Sequence, residues 1–167
     1  KRPIQVQTVE NGRIVKSRYR FRDPFPEKKP GRKEGYAMRT CVLDTRVLVT
    51  GFLRPESPSG MILNEVVNLS LFLILDSRIF FEYQGVLSRP RFDLPLSLTE
   101  PVLALIRTRG NLISPSRFEE DLPDEGVRPF VEVALSTGAP WVFDNMGQTF
   151  EIPSLRVISP GEALHWE

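Results

Sequence analysis

The apolar residues from Met38 onward fall into two alternating patterns. Apolar runs without polar alternation at 41–43 and 71–75 predict strands, the first buried on both faces as in a parallel sheet. Further strands are predicted at 112–113, 141–144 and 155–158. Helical spacing between them predicts one helix or two over 47–67, broken near 55–60, and further helices at 77–87, 99–108 and 129–138. Strands that alternate with helices indicate an α/β fold, in which right-handed crossovers join parallel strands.

Acidic residues stand where these strands end. Asp44 and Asp76 each follow an apolar run, and Asp144 closes another. In open α/β sheets ligands collect at the carboxyl edge, where strand ends and helix N-termini converge. Asp44 is therefore either a functional residue or the N-cap of the next helix, a role that Thr45 could equally fill.

Three helix starts carry a recognisable cap. Ser77 is the predicted N-cap of the helix that ends near Leu87, and Thr99 begins another whose first turn contains a proline. The segment 159–162, Ser-Pro-Gly-Glu, predicts a capping box.

Glu82 lies near the rim of the apolar face of the 77–87 helix. It is either a functional residue or an ordinary solvent-facing glutamate of the helix.

The first 37 residues follow a different pattern. Polar and apolar residues alternate over 4–9, Asn11-Gly12 is a strong hairpin signal, and 13–16 could return as a second strand. Prolines at 24, 26 and 30 then predict a linker or an extended tail over 23–37. We therefore divide the chain into an N-terminal arm, 1–37, and a domain, 38–167.

Charge divides the chain at nearly the same place. Residues 1–38 hold eleven Lys or Arg against four acids, and every lysine lies at or before Lys33. Since the net charge of the whole chain is +1, the remainder carries −6. A basic arm and an acidic body predict different partners for the two parts.

The arm also interleaves cations with aromatic rings. Cations neutralise phosphates and rings stack on bases, so the pattern suits single-stranded or folded RNA. A solvated leader and docking onto a protein, including the acidic body, are the alternatives. The candidate RNA-binding residues are Arg13, Lys16, Arg18, Tyr19, Arg20, Phe21, Arg22, Lys28, Lys29, Arg32 and Lys33.

Composition excludes several classes of protein. The 167 residues, of which 41% are hydrophobic, fit one domain of ordinary size with its own core. Cys41 is a predicted core residue and His165 a surface residue, so no structural zinc site is expected. No apolar run is long enough for a membrane span or a signal peptide, which predicts an intracellular protein, cytoplasmic or organellar, and not a secreted one. Glycine-rich phosphate loops are also absent from the sequence.

Four segments in order resemble the PIN-domain family, and within it the toxin branch of toxin-antitoxin systems. They are VLDTRVLVTG at 42–51, FEYQGVLSRP at 81–90, RPFVEVAL at 128–135 and RVISPGE at 156–162. The resemblance implies a three-layer sandwich with a central, mostly parallel sheet flanked by helices. It also implies RNA cleavage by Mg²⁺ or Mn²⁺ held by three or four carboxylates at the strand ends.

The acids of the family pattern match only in part. The first falls on Asp44 and the second on Glu82, whereas the third falls on Val127 and the fourth on Asn145 or Met146. Asp124 or Glu125 could replace the third only with a shifted loop, and Asp144 is adjacent to the fourth but should point elsewhere.

Arg46 stands where the family has a small polar residue. We expect its guanidinium to neutralise the carboxylates of Asp44 and Glu82. As metal ligands these two residues should then bind a divalent ion weakly or not at all. No cofactor is then expected, but Mg²⁺ or Mn²⁺ is required if the site is active, with Asp44, Glu82 and Asp144, or Asp124, as the catalytic acids.

Three functions remain open after these observations. The first is an RNA-binding or structural module of an RNA-containing assembly with impaired or lost nuclease activity. The second is an active metal-dependent endoribonuclease of the toxin type. The third is a protein-interaction module whose basic arm docks on an acidic crevice, in the same chain or in a neighbour, with homo-oligomers a further option.

Overall fold

A five-stranded sheet forms the centre of the domain in the computed structural model, which describes residues 4–10, 13–21, 38–144 and 148–166. The strand order is β5-β4-β3-β6-β7, and every neighbouring pair is parallel. This confirms the α/β fold, with a sheet that is parallel throughout rather than mostly so. The strands are β3 (Thr40–Leu43), β4 (Phe72–Leu75), β5 (Asn111–Leu112), β6 (Trp141–Val142) and β7 (Val157–Ile158).

Six α-helices connect and cover these strands within the described ranges. The predicted break near 55–60 is confirmed, because one helix ends at Leu53 and the next begins at Pro58. Within the same ranges, no helix has both the length and the apolar character needed to cross a bilayer. The helices are α1 (Thr45–Leu53), α2 (Pro58–Val67), α3 (Ser77–Leu87), α4 (Leu96–Arg109), α5 (Arg128–Thr137) and α6 (Pro160–Ala163), with 3-10 turns at Pro90–Phe92 and Glu125–Val127.

The core lies on both faces of the sheet because the central strands β3 and β4 are buried beyond their first residues. Val42 and Leu43 of β3 are fully buried, as the run without polar alternation predicts. On one face the Trp141 ring packs between Phe130 and Phe143, with ring centroids 5.9 and 4.5 Å away. Cys41 is also fully buried, and desolvation raises the pKa of its thiol to about 12, so it serves as a core residue.

Two predicted helix starts were wrong. The N-cap of α3 is Asp76, whose side chain accepts a hydrogen bond from the Ile79 N–H, and Ser77 is the first helical residue. Helix α4 begins at Leu96 and contains Pro101, so Thr99 lies inside the helix and is buried rather than capping it. The capping box at the start of α6 is confirmed.

The N-terminal hairpin is confirmed at the level of the backbone. Strands β1 (Ile4–Glu10) and β2 (Arg13–Phe21) pair antiparallel, and the second strand is longer than predicted. Asn11, Gly12 and the proposed linker at 23–37 lie outside the described residues. The division of the chain at residue 38 stays a prediction.

Candidate functional site

Asp44 and Asp76 occupy equivalent places at the carboxyl edge of the sheet. Each follows a strand directly and caps the helix that comes next, α1 in the first case and α3 in the second. The Asp44 carboxylate accepts a hydrogen bond of 2.9 Å from the Arg46 N–H. Asp44 is therefore an N-cap, and its place at the strand end leaves a functional role open as well.

The Asp44 carboxyl is buried where an ionised group is poorly solvated. Only 4% of the residue is exposed, and burial raises the pKa of its side chain from 3.8 to about 6. The hydrogen bond from the Arg46 N–H and the Arg46 charge act in the opposite direction, while the negative charges of Glu82 and Asp144 raise the pKa further. Perturbed acids of this kind concentrate at functional sites.

Helix α3 brings Glu82 to the same edge. The Tyr83 hydroxyl donates a hydrogen bond to the backbone carbonyl of Leu43, which ties α3 to the end of β3. The neighbouring Glu82 carboxylate accepts a hydrogen bond of 2.9 Å from the Thr45 hydroxyl. Thr45 is the first residue of α1 and directly follows Asp44. The contact therefore places Glu82 close to Asp44.

Arg46 lies between Asp44 and an aromatic ring. Its Nε atom is 3.8 Å from Oδ2 of Asp44, and its guanidinium carbon is 5.1 Å from the ring centroid of Phe143. The ring face holds the cation by a cation-π contact, and the side chain remains about half exposed. The guanidinium is thus placed to reduce the negative charge of this edge, although burial still dominates the pKa of Asp44.

The other candidate acids have different surroundings. Asp144 lines the same cleft as Glu82 and Arg46, and the expectation that its side chain points elsewhere stays a prediction. Its charge reaches Asp44 because Phe143, the residue before it, packs into the core next to the end of β3. Asp124 accepts a hydrogen bond of 2.8 Å from the Gly126 N–H and caps a 3-10 turn.

The third and fourth positions of the family pattern supply no carboxylate among the residues that the structure describes. Val127 is 4% exposed and belongs to the apolar core. Asn145 and Met146 lie outside the described residues. Among the residues that the structure does describe, no three His, Cys, Asp or Glu side chains lie close enough to hold one metal ion. The donor set found here therefore fits a hard divalent cation poorly, since such a cation requires several oxygen ligands.

A second charged group at this edge was missed by the sequence reasoning. The Arg78 guanidinium lies 2.7 Å from carboxylate oxygens of both Asp76 and Glu132, whose side chains are almost fully buried. Burial opposes ionisation of Glu132, but hydrogen bonds from the Phe118 N–H and from Arg78 outweigh it, so its pKa is lowered. The sequence analysis named Asp76 at its strand end but neither Arg78 nor Glu132, and the one signal for Glu132 was its place inside the apolar stripe of α5.

The candidate RNA-binding residues cannot be assigned contacts. The backbone of Arg13–Phe21 forms β2, but the side chains of this strand, together with Arg22, Lys28, Lys29, Arg32 and Lys33, lie outside the described part of the structure. Their role stays a prediction.

Comparison with known proteins identifies one family. The PIN-domain family matches residues 40–143, which is more than half of the chain and includes β3 to β6 and the edge that carries Asp44 and Glu82. No curated protein and no solved structure was found to match. A PIN domain indicates a nuclease-like, RNA-related module, and Mg²⁺ or Mn²⁺ is its usual cofactor when it is active. On the family match and the parallel sheet together, this chain belongs to the PIN-domain family.

Proposed function

We propose that the chain is an RNA-binding PIN module, a structural subunit of an RNA-containing assembly, whose nuclease activity is impaired or lost. The observation that carries this proposal is the position of Arg46, with its guanidinium between the Phe143 ring and the Asp44 carboxylate. A fixed cation at this place reduces the charge that would attract a divalent ion. It also offers N–H groups to a phosphate oxygen, which a carboxylate cannot do.

The set of acids supports the same proposal. Asp44, Glu82 and Asp144 contribute at most three negative charges, and Arg46 offsets one of them. The Thr45 hydroxyl already occupies one oxygen of Glu82. Because magnesium gives up its hydration water reluctantly, a site with few free oxygen atoms holds it weakly.

RNA contact is proposed chiefly for the arm. Its basic and aromatic residues, Arg13, Lys16, Arg18, Tyr19, Arg20, Phe21, Arg22, Lys28, Lys29, Arg32 and Lys33, combine phosphate neutralisation with stacking. The acidic body would then hold the arm in a defined orientation on the RNA. Binding of this kind requires no metal.

The proposal is tested with the full chain and a labelled RNA that contains both single-stranded and folded segments. We expect the RNA to bind equally well in EDTA and in Mn²⁺, and to remain intact in both. Cleavage that requires Mn²⁺ and disappears in Asp44→Asn would overturn the proposal. If the chain fails to bind RNA in either buffer, the RNA-binding role is wrong as well.

One observation favours the alternative of an active Mg²⁺- or Mn²⁺-dependent endoribonuclease of the toxin-antitoxin type. Burial keeps the pKa of Asp44 at about 6 despite the nearby Arg46, so the cation present does not fully compensate this carboxylate. Asp144, on the same cleft, would then act with Asp44 and Glu82. The Asp44→Asn comparison in Mn²⁺ distinguishes this alternative from the first proposal.

A further inference from the structure

A second cavity lies between α2 and the segment that follows α6. It encloses about 530 Å³, and we call its lining the α2–α6 surface, which includes Pro55, Glu56, Met61, Glu65, Leu164 and His165. Glu65 pairs at 3.0 Å with Arg39, which comes just before β3 begins, whereas Asp44 comes just after β3 ends. The α2–α6 surface therefore lies toward the amino edge of the sheet, away from the acidic carboxyl edge.

Part of this surface is apolar. Met61 is 53% exposed, although it belongs to a helix that packs against α1, and Pro55 and Leu164 line the same cavity. A methionine adapts its shape to different partners, because its side chain is unbranched and its sulfur is polarisable. This part of the surface is suited to contact with another element.

The rest of the surface is acidic. Glu56 and Glu65 line the cavity, and no lysine or arginine among the residues that the structure describes does so. Arg39 compensates Glu65 only in part, because its guanidinium also donates a hydrogen bond to the carbonyl of Ala163. A cationic partner is complementary to such a lining.

The N-terminal hairpin has the matching character. Residues 1–38 carry eleven Lys or Arg against four acids, and the sequence of β2 contains Val15, Tyr19 and Phe21 as well as cations. The backbone of β2 lies beside α2 in the structure. The hairpin therefore matches both the acidic and the apolar part of the α2–α6 surface.

The chain joins these two parts over a short distance. Sixteen residues separate the end of β2 at Phe21 from Met38, and Arg39 is held at the surface by Glu65. A linker of this length spans roughly 20–25 Å. The effective concentration of the hairpin at the surface is then on the order of millimolar, far above that of a second copy in dilute solution.

We propose that the α2–α6 surface is the docking site of the hairpin formed by β1 and β2 of the same chain. Apolar contact with Met61 and attraction between the cations of the hairpin and the two glutamates hold it there. The inference goes beyond the proposed function, since the docking requires no RNA. For the proposed function it means that the arm meets RNA beside the α2–α6 surface and not at the edge that carries Asp44.

Disulfide trapping in the full chain tests the docking without RNA. Met61→Cys is combined with Ser17→Cys or with Tyr19→Cys, and Phe81→Cys, at an exposed position on α3, is combined with the same two as the control. Cys41 does not interfere, because it is fully buried and the pKa of its thiol is raised to about 12. We expect at least one Met61 pair to close about ten times faster than either Phe81 pair, at a rate independent of protein concentration.

A second comparison tests the contribution of charge. Glu56→Gln removes one acid from the α2–α6 surface, and Glu120→Gln removes one from an exposed loop. Each is added to the faster Met61 pair, and we expect the first to slow trapping several-fold and the second to leave it unchanged. Thermal unfolding of every reduced variant close to that of the wild type ensures that folded proteins are compared.

Three outcomes would overturn the inference. The first is equal trapping rates for the Met61 and Phe81 pairs, which would mean that the hairpin has no preferred place on the domain. A rate that rises in proportion to protein concentration would assign the surface to the hairpin of a second copy. Equal effects of Glu56→Gln and Glu120→Gln would contradict the charge complementarity. Since no RNA is present, each of these results leaves the proposed RNA-binding function standing.

Discussion

The Nε atom of Arg46 lies 3.8 Å from Oδ2 of Asp44, close to the outer limit of an ion pair. At this separation the guanidinium reduces the cost of an ionised Asp44 without removing it, because burial still raises the pKa of the carboxyl to about 6. Arg46 therefore reduces the negative charge at this edge of the sheet but does not cancel it, as a close salt bridge would.

Asp44→Asn should stabilise the fold at neutral pH. The pKa of Asp44 is higher in the folded chain, about 6, than its ordinary value of 3.8, so the folded state binds more protons between these values. The stability that Asp44 contributes is thus fully present below pH 4 and is lost as the pH rises through 6. Asparagine also caps a helix well. We expect a gain of up to about 3 kcal/mol at pH 7.5.

Urea unfolding at pH 7.5 and at pH 4 measures this effect. The gain from Asp44→Asn should shrink toward zero at the lower pH, where the wild-type carboxyl is protonated in the folded state. Asp121→Asn, at an exposed acid, is the control and should change little at either pH. A loss of stability in Asp44→Asn at pH 7.5 would mean that the ionised carboxylate is well compensated.

Combining Arg46→Asn with Val127→Asp should create a metal site. The first change removes the cation and the second adds an acid at the position where the family has its third. Because Val127 is buried, the aspartate should cost about 3 kcal/mol without metal. A saturating concentration of Mn²⁺, about 100 times the dissociation constant, should restore roughly 2.7 kcal/mol.

The thermal midpoint with and without Mn²⁺ measures this restoration. Arg46→Asn with Val127→Asn is the matched control, since it lacks the new carboxylate and should show no response to the metal. If Arg46→Asn with Val127→Asp responds to Mn²⁺ no more than the wild type, the site is aligned wrongly with the family pattern.

Arg78→Ala should destabilise the domain strongly. The change leaves the buried carboxylates of Asp76 and Glu132 without their shared cation, although the Ile79 and Phe118 N–H groups still donate to them. We expect a loss of about 3 kcal/mol, toward the lower end of what breaking a buried ion pair costs, because the arginine is partly exposed. Chemical unfolding at neutral pH measures it.

Arg117→Ala is the comparison for this change. Arg117 lies 3.7 Å from Glu119, and both side chains are largely exposed. Such a pair contributes less than about 1 kcal/mol. Similar losses in the two variants would contradict a stabilising role for the buried group.

Replacing Arg18, Arg20 and Arg22 of the arm by glutamine should reduce the salt dependence of RNA binding. If all three contact phosphates, the slope should fall by about three units. The variant is made in the full chain, and its affinity for the labelled RNA is measured over the same salt series as for the wild type. An unchanged slope would assign the arm to a role other than phosphate contact.

The sequence predicted the fold well because the central strands lack polar alternation. Residues such as Val42 and Leu43 leave little choice except burial on both faces, and the helical spacing between strands then dictates a parallel sheet. Element ends were predicted less well. Asp76 and Ser77 are both good N-caps, and only the geometry of the β4 end decides between them.

The family resemblance placed Glu82 with Asp44, but local pattern alone predicted the site only where its residues are close in sequence. Arg46 follows Asp44 by two positions, so their proximity could be inferred from the helix start alone. Arg78 and Glu132 are 54 residues apart, and their contact depends on how α3 and α5 pack.

The most direct test of this account is the binding of Mn²⁺ to the wild-type chain, measured by electron paramagnetic resonance alongside Asp44→Asn. Since Arg46 and the few available carboxylate oxygens disfavour a divalent ion, we expect weak binding that is the same in both proteins. Tight binding of one Mn²⁺ by the wild type, lost in Asp44→Asn, would contradict the account and favour the alternative of a metal-dependent endoribonuclease.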